Sequence, residues 1–235
     1  MTRSRETKRL VLDLLAGDGW EAGLDGLAEL GQQAVAPLFS ALCNPKPLVR
    51  WRAVTGFGAV VAALAGKTPE KARVVMRRFI WSLNDESGGI GWGAPEAMAE
   101  IMTQSPLMAT EYHNHVLAYI HEDHCRPDCY LEHAPLRRGA MWGVARLAQV
   151  RPELAQAARP DLLCALDDCD GAIRGLAAWA CGLLGCTSAL PRLEAMLADP
   201  SAIELYRDRV LTETTAGALA LEAVTRITGT LPVHN

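Results

Sequence analysis

Residues 38–58 of the chain reappear, without a gap, 124 positions later at 162–182. Leu38, Leu42, Asn44, Val49, Arg50, Ala53, Val54, Phe57 and Gly58 fall on Leu162, Leu166, Asp168, Ile173, Arg174, Ala177, Ala178, Cys181 and Gly182. Each copy reads as a short helix, a polar turn and a second helix whose small and apolar residues recur at three-to-four spacing. Such a helix pair cannot cover its own apolar face. Neighbouring pairs must bury it, which restricts the chain to a stacked array closed by atypical end units.

Two fainter copies lie between. Arg138, Met141, Trp142, Ala145 and Arg146 take the places of Arg50, Ala53, Val54, Phe57 and Gly58, and Trp92, Pro95, Glu96, Ala99 and Glu100 take the same five. The successive spacings of 42, 46 and 36 residues bracket the period of HEAT-type helix pairs. The expected architecture is all-α, an α-solenoid (superhelix) of HEAT-like helix pairs. It forms a single domain over residues 1–235, with caps at roughly 1–32 and 190–235. Gly31, Gly66, Gly185 and Gly229 follow apolar runs, as helix stops do, and Pro37, Pro69, Pro95, Pro106 and Pro191 stand where first turns begin. Val, Ile and Thr form no alternating run, so no strand is expected. With only three Phe and four Tyr, the core is expected to be aliphatic.

The leucine-turn-Asp-x-x-x-x-Ile-Arg-x-x-Ala-Ala pattern of residues 166–178 resembles the HEAT-like repeats first associated with phycobilisome lyases. That resemblance implies an α-solenoid and protein binding, and it specifies no partner. The stretch from Ser82 to Met102 is similar to an uncharacterised HEAT-repeat family of anaerobic, sulfate-reducing bacteria, which implies no function.

The formal net charge of −4 argues against a broad nucleic-acid footprint, which needs a surplus of Lys and Arg. Lys67, Lys71, Arg73, Arg77 and Arg78 cluster locally and read as a solvated helix face. The most apolar stretch, Val54 to Gly66, is about 13 residues against the roughly 20 of a membrane span, so no membrane partner is expected. Asp13 interrupts the apolar run after the basic N-terminus, which reads as a first helix and not a signal peptide. Seven Cys, an odd number without framework spacing, fit a reducing cytoplasm.

Arg50 and Arg174 each lie six residues after a turn Asn44 or Asp168, placed to hold the two helices in register through the turn side chain. The segment Asn84 to Glu96 departs most from the pattern, with four Gly within six positions around Trp92. It lacks the Lys and Ser/Thr of a nucleotide loop, so the glycines read as a close-packing turn with Trp92 capping the core, the alternative being a ligand platform. Glu96 and Glu100 share one helix face. Stacked second helices would set Glu100 beside Arg146, with Trp92, Trp142 and Arg138 close by. This reads as a structural ion pair, as a polar pocket for a cationic or aromatic group, or as a general acid/base pair if burial splits the two carboxyl pKa values. His121, Cys125, Cys129 and His133 fall at four-residue steps around Pro127; folded back as a loop they would form a tetrahedral zinc set, and otherwise they are an exposed polar connection. No other cofactor is called for.

No signature of nucleophilic, nucleotide-binding or zinc-protease chemistry is present. The expected function is therefore a cytoplasmic interaction or scaffold module without a reaction of its own. It would bind a protein of unknown identity through Trp51, Trp92, Glu96, Glu100, Arg138, Trp142, Arg146 and Trp179, some of which must instead be core. The alternative is a small-molecule- or cofactor-associated assembly or lyase-like factor using Glu96, Glu100 and Arg146.

Overall fold

The computed structural model describes residues 2–84, 91–122 and 130–229. The chain divides into two compact units, Met1–His113 and Asn114–Asn235. The first contains α1 (Thr2–Ala16), α2 (Leu24–Leu30), α3 (Gln32–Leu42), α4 (Pro47–Lys67), α5 (Pro69–Leu83) and α6 (Ala94–Gln104), and the boundary falls within α7 (Pro106–Ala118).

Helix α4 is the hub of the first unit, packed on α2, α3, α5 and α6. Among the described residues it is the one helix long and apolar enough to cross a membrane, at 21 residues, yet 61% of its apolar window is buried inside the fold. The sequence suggested a shorter run because Arg50 and Arg52 interrupt it. The fold absorbs Arg52 by letting its guanidinium donate to the carbonyls of Leu15 (2.8 Å) and Gly17 (2.9 Å) at the end of α1. The core is less purely aliphatic than composition implies. The chain's three Phe, one each from α3, α4 and α5, meet as Phe39, Phe57 and Phe79 with ring centroids 4.6–4.9 Å apart, the spacing aromatic rings prefer.

The second unit contains α8 (Ala134–Val150), α9 (Pro152–Ala155), α10 (Arg159–Ala165), α11 (Gly171–Leu183), α12 (Leu190–Ala195), β1 (Ala202–Arg207), β2 (Val210–Thr215) and α13 (Ala216–Thr228). Here α11 is the hub, against α8, α10 and α13. Its glycine-lined face lets α13 come close: a Cβ on Gly182 would lie 2.7 Å from the Ala223 Cα.

The antiparallel pair β1–β2 corrects the expectation of no strand. Ile203 and Leu205 are buried and alternate with the exposed Glu204. The pattern is too short to stand out among helical repeats. The turn also carries no glycine: Asp208 and Arg209 both adopt positive φ (52° and 66°), a two-residue hairpin conformation ordinarily signalled by Asn-Gly or Asp-Gly. Two further boundaries differ. Pro37 lies inside α3, where its neighbourhood must forgo one helical hydrogen bond. Gly66 falls within α4, whereas Gly31, Gly185 and Gly229 do take positive φ as stops.

The repeat register survives as hydrogen bonds. Asn44 Oδ1 accepts from the Lys46 N–H (3.0 Å) and Asp168 Oδ1 from the Asp170 N–H (2.8 Å), the same bond 124 positions apart. Asp199 repeats it with the Ser201 N–H (3.0 Å). The following arginines reach the turn as expected, but through its main chain: Arg50 donates to the Asn44 carbonyl (3.4 Å) and Arg174 to the Asp168 carbonyl (2.7 Å). Arg174 also donates to Asp199 Oδ2 through Nε (2.9 Å) and Nη2 (2.6 Å), tying one turn to the next within the unit.

Candidate functional site

In the first unit, Trp51 on α4 is half-buried, while Trp92, in the turn before α6, is 40% exposed and so does not close the core as expected. Gly93 takes φ +70° to start α6, and an ideal Cβ on Gly91 would lie 3.1 Å from the Ser82 carbonyl oxygen. The backbone leading to Trp92 therefore runs against the last turn of α5, as expected of a close-packing glycine turn.

Glu100 is buried, at 5% exposure, and its Oε1 accepts from Gln104 Nε2 (2.9 Å) one turn along α6. Gly58 of α4 makes room for this pair, since a Cβ there would meet Gln104 Nε2 at 2.3 Å and Glu100 Cγ at 3.0 Å. Glu96 stands in the first turn of α6 with Oε2 buried and without a hydrogen-bond partner. Burial pushes its carboxyl up to about 7, against a smaller opposing influence of its own backbone and of Arg50.

In the second unit, Trp142 and Trp179 are the core members of the expected set, at 3% and 2% exposure. The Trp142 indole donates to the Tyr206 carbonyl (2.8 Å), fastening β1 to α8, and Arg207 lies over the Trp179 ring at 5.9 Å. Neither indole is presented to a partner. Arg138 is exposed and donates through Nε to Asp170 Oδ2 (2.7 Å). Burial of Asp170 raises its pKa, but Arg138 and the Ala172 N–H more than offset this and hold the carboxyl below its ordinary range. Arg146 donates to Gln149 Oε1 (2.9 Å). Glu100 and Arg146, paired in the sequence register, belong to different units.

Of the proposed zinc set, Cys125 and Cys129 lie outside the described residues. His121 Nδ1 is 2.8 Å from Asp161 Oδ1, and His133 precedes α8 as its N-cap residue. Among the described residues no group of three His, Cys, Asp or Glu is arranged to hold a metal ion.

Sequence reasoning missed a pocket of about 310 Å³ in the second unit, lined by Tyr119, Tyr130, Arg137, Asp161, Cys164 and Asp168 among others. Arg137 is clamped there on Asp168. Burial opposes its charge, but the carboxylate more than restores it and the pKa is raised. Its neighbour Arg138 had been aligned with Arg50, and the one-residue offset concealed Arg137. The sequence reading also passed over Trp81, which is 77% exposed on α5. Its signal was present: Lys71, Val74, Arg78 and Trp81 follow three-four-three spacing, which puts them on one helix face.

Residues 134–184 match the family model for the HEAT-like repeat. No curated protein matches the chain. Among solved structures, it is similar to a designed armadillo repeat protein in complex with the peptide (KR)4, at 18% identity over 94% of this chain and 99% of that one, with a TM-score of 0.49. An engineered protein from a structural genomics consortium shares 16% identity over 95% and 99% of the two chains, with a TM-score of 0.48. Computationally designed armadillo repeat proteins for modular peptide recognition share 17% over 93% and 98%, with a TM-score of 0.44. Helix pairs and recurring turn hydrogen bonds build each unit, and residues 134–184 of this predominantly helical chain carry a HEAT-like repeat.

Proposed function

We propose that the protein is an interaction scaffold that binds a segment of a partner protein along a face of its helix pairs and performs no reaction of its own. The carrying observation is Trp92. At the register position where the other copies have Arg50, Arg138 and Arg174, this repeat carries an indole that the fold leaves 40% exposed. Tryptophan is the residue type that most often anchors binding energy at protein interfaces. Trp51, half-buried in the same unit, extends the candidate contacts.

Replacing Trp92 by a benzophenone amino acid and irradiating cells that make the protein tests this reading. A discrete protein adduct from position 92, absent when the same group replaces the exposed Val210, is the expected result. Identical labelling from the two positions would remove the reading.

A second reading, a small-molecule-associated assembly factor, is favoured by one observation, the buried Glu96 oxygen without a partner. Native mass spectrometry of the untagged protein decides it. A bound species lost in Glu96→Gln supports it, and identical ligand-free spectra for both proteins discard it.

A further inference from the structure

Helix α5 carries four basic residues against one acidic residue in a chain whose net charge is −4. Its charges are not used alike. Arg73 donates to Glu111 through Nε (2.8 Å) and Nη2 (2.6 Å), and Arg77 pairs with Glu70 at 2.5 Å, so the helix's own carboxylate is already engaged. Lys71 and Arg78 remain on the outer face, alternating with two exposed apolar side chains, Val74 at 48% and Trp81 at 77%. The Arg78 guanidinium stands 3.9 Å over the Phe39 ring, which fixes one of these cations to the unit's aromatic cluster. Exposed Trp92 follows the Gly91 backbone packed on the end of this helix.

We propose that this face of α5 docks an acidic, apolar-bearing segment of a partner protein, a proposal that rests on the scaffold reading above. Carboxylates of the segment would meet Lys71 and Arg78, while an apolar side chain would cover Val74 and Trp81. From Lys71 to Trp81 the stripe is about 15 Å long, the reach of a few extended residues or of a short helix. Charge complementarity selects an acidic occupant. The alternation of cations with apolar side chains selects a protein segment over a polyanion, because a phosphate backbone gains nothing from Val74.

The test uses the full chain and a fluorescein-labelled peptide alternating Glu with Leu. A Lys/Leu peptide, a labelled single-stranded oligonucleotide and anionic phospholipid vesicles are run beside it. The expected result is saturable binding of the Glu/Leu peptide alone, weakened by salt. Affinity should fall about tenfold or more in Trp81→Ala and in Lys71→Glu, with the melting temperature of Trp81→Ala unchanged because its indole is on the surface. Equal binding of the two peptides, preference for oligonucleotide or vesicle, or wild-type affinity in both variants would each overturn the proposal. Failure of the scaffold reading is separable. Adducts from position 92 that persist while the α5 variants bind peptide normally overturn only the α5 site. Peptide docking on α5 with no position-specific adduct supports the site and overturns the reading built on Trp92.

Discussion

Glu96 shows how one side chain can set the pH response of its unit. Its folded carboxyl titrates at about 7 rather than the ordinary 4.5, principally because burial disfavours the charge. The folded protein therefore keeps a proton that the unfolded chain has released. The stabilising effect is fully present below about 4.5 and is lost as pH rises through about 7. The loss is on the order of 3 kcal/mol. Glu96→Gln, which supplies a neutral isostere, is expected to raise the melting temperature at pH 8 and to flatten the decline between pH 5 and 8. Parallel pH profiles for wild type and variant would show that Glu96 is solvated in the folded state. The sequence identified Glu96 as anomalous from register alone, since Val54, Trp142 and Ala178 hold that place elsewhere. It did not reveal that Oε2 lacks a partner, because that depends on how α6 sits on α4.

The elements divide by how local their determinants are. The hairpin is held by pieces far apart in sequence, notably the Trp142 bond to Tyr206, and its turn uses Asp208 and Arg209 at positive φ. Arg209→Gly, which removes the steric cost of a left-handed side chain, is expected to stabilise the protein by about 1 kcal/mol. Urea denaturation measures it, and an unchanged midpoint would mean that the turn is unstrained. Gly182→Val makes the opposite case. The added carbon would lie 2.7 Å from the Ala223 Cα, where backbone must yield, and a loss of about 2–3 kcal/mol is expected. A variant as stable as wild type would show that α11 and α13 can part without cost. The helices around these sites were legible because their apolar spacing is written every few residues. The hairpin was not, because its alternation is brief and its turn lacks glycine. The pocket beside Arg137 was equally hidden, since it is assembled from residues dozens of positions apart.

For the molecule as a whole, the indoles divide between core and surface, with the half-buried Trp51 between them. Trp20, Trp142 and Trp179 are buried at 4% or less, whereas Trp81 and Trp92 are 77% and 40% exposed. Acrylamide quenching of the native protein should give a downward-curving plot, with an accessible population removed by Trp81→Phe together with Trp92→Phe. A straight plot with uniform quenching would contradict this division between core and surface. The sequence predicted that the indoles would be split but not how, because register places residues on a helix without stating what covers them. It did locate the arginines that close two of the turns, while assigning the wrong acceptor. Arg50 and Arg174 hold on to carbonyl oxygens of the chain itself. Every amino acid brings that oxygen, so substitution cannot delete the anchor point, and the turn is free to read Asn in one copy and Asp in another. A turn fastened in this way can change its letters, as from Asn44 to Asp168, and still be closed by the same bond.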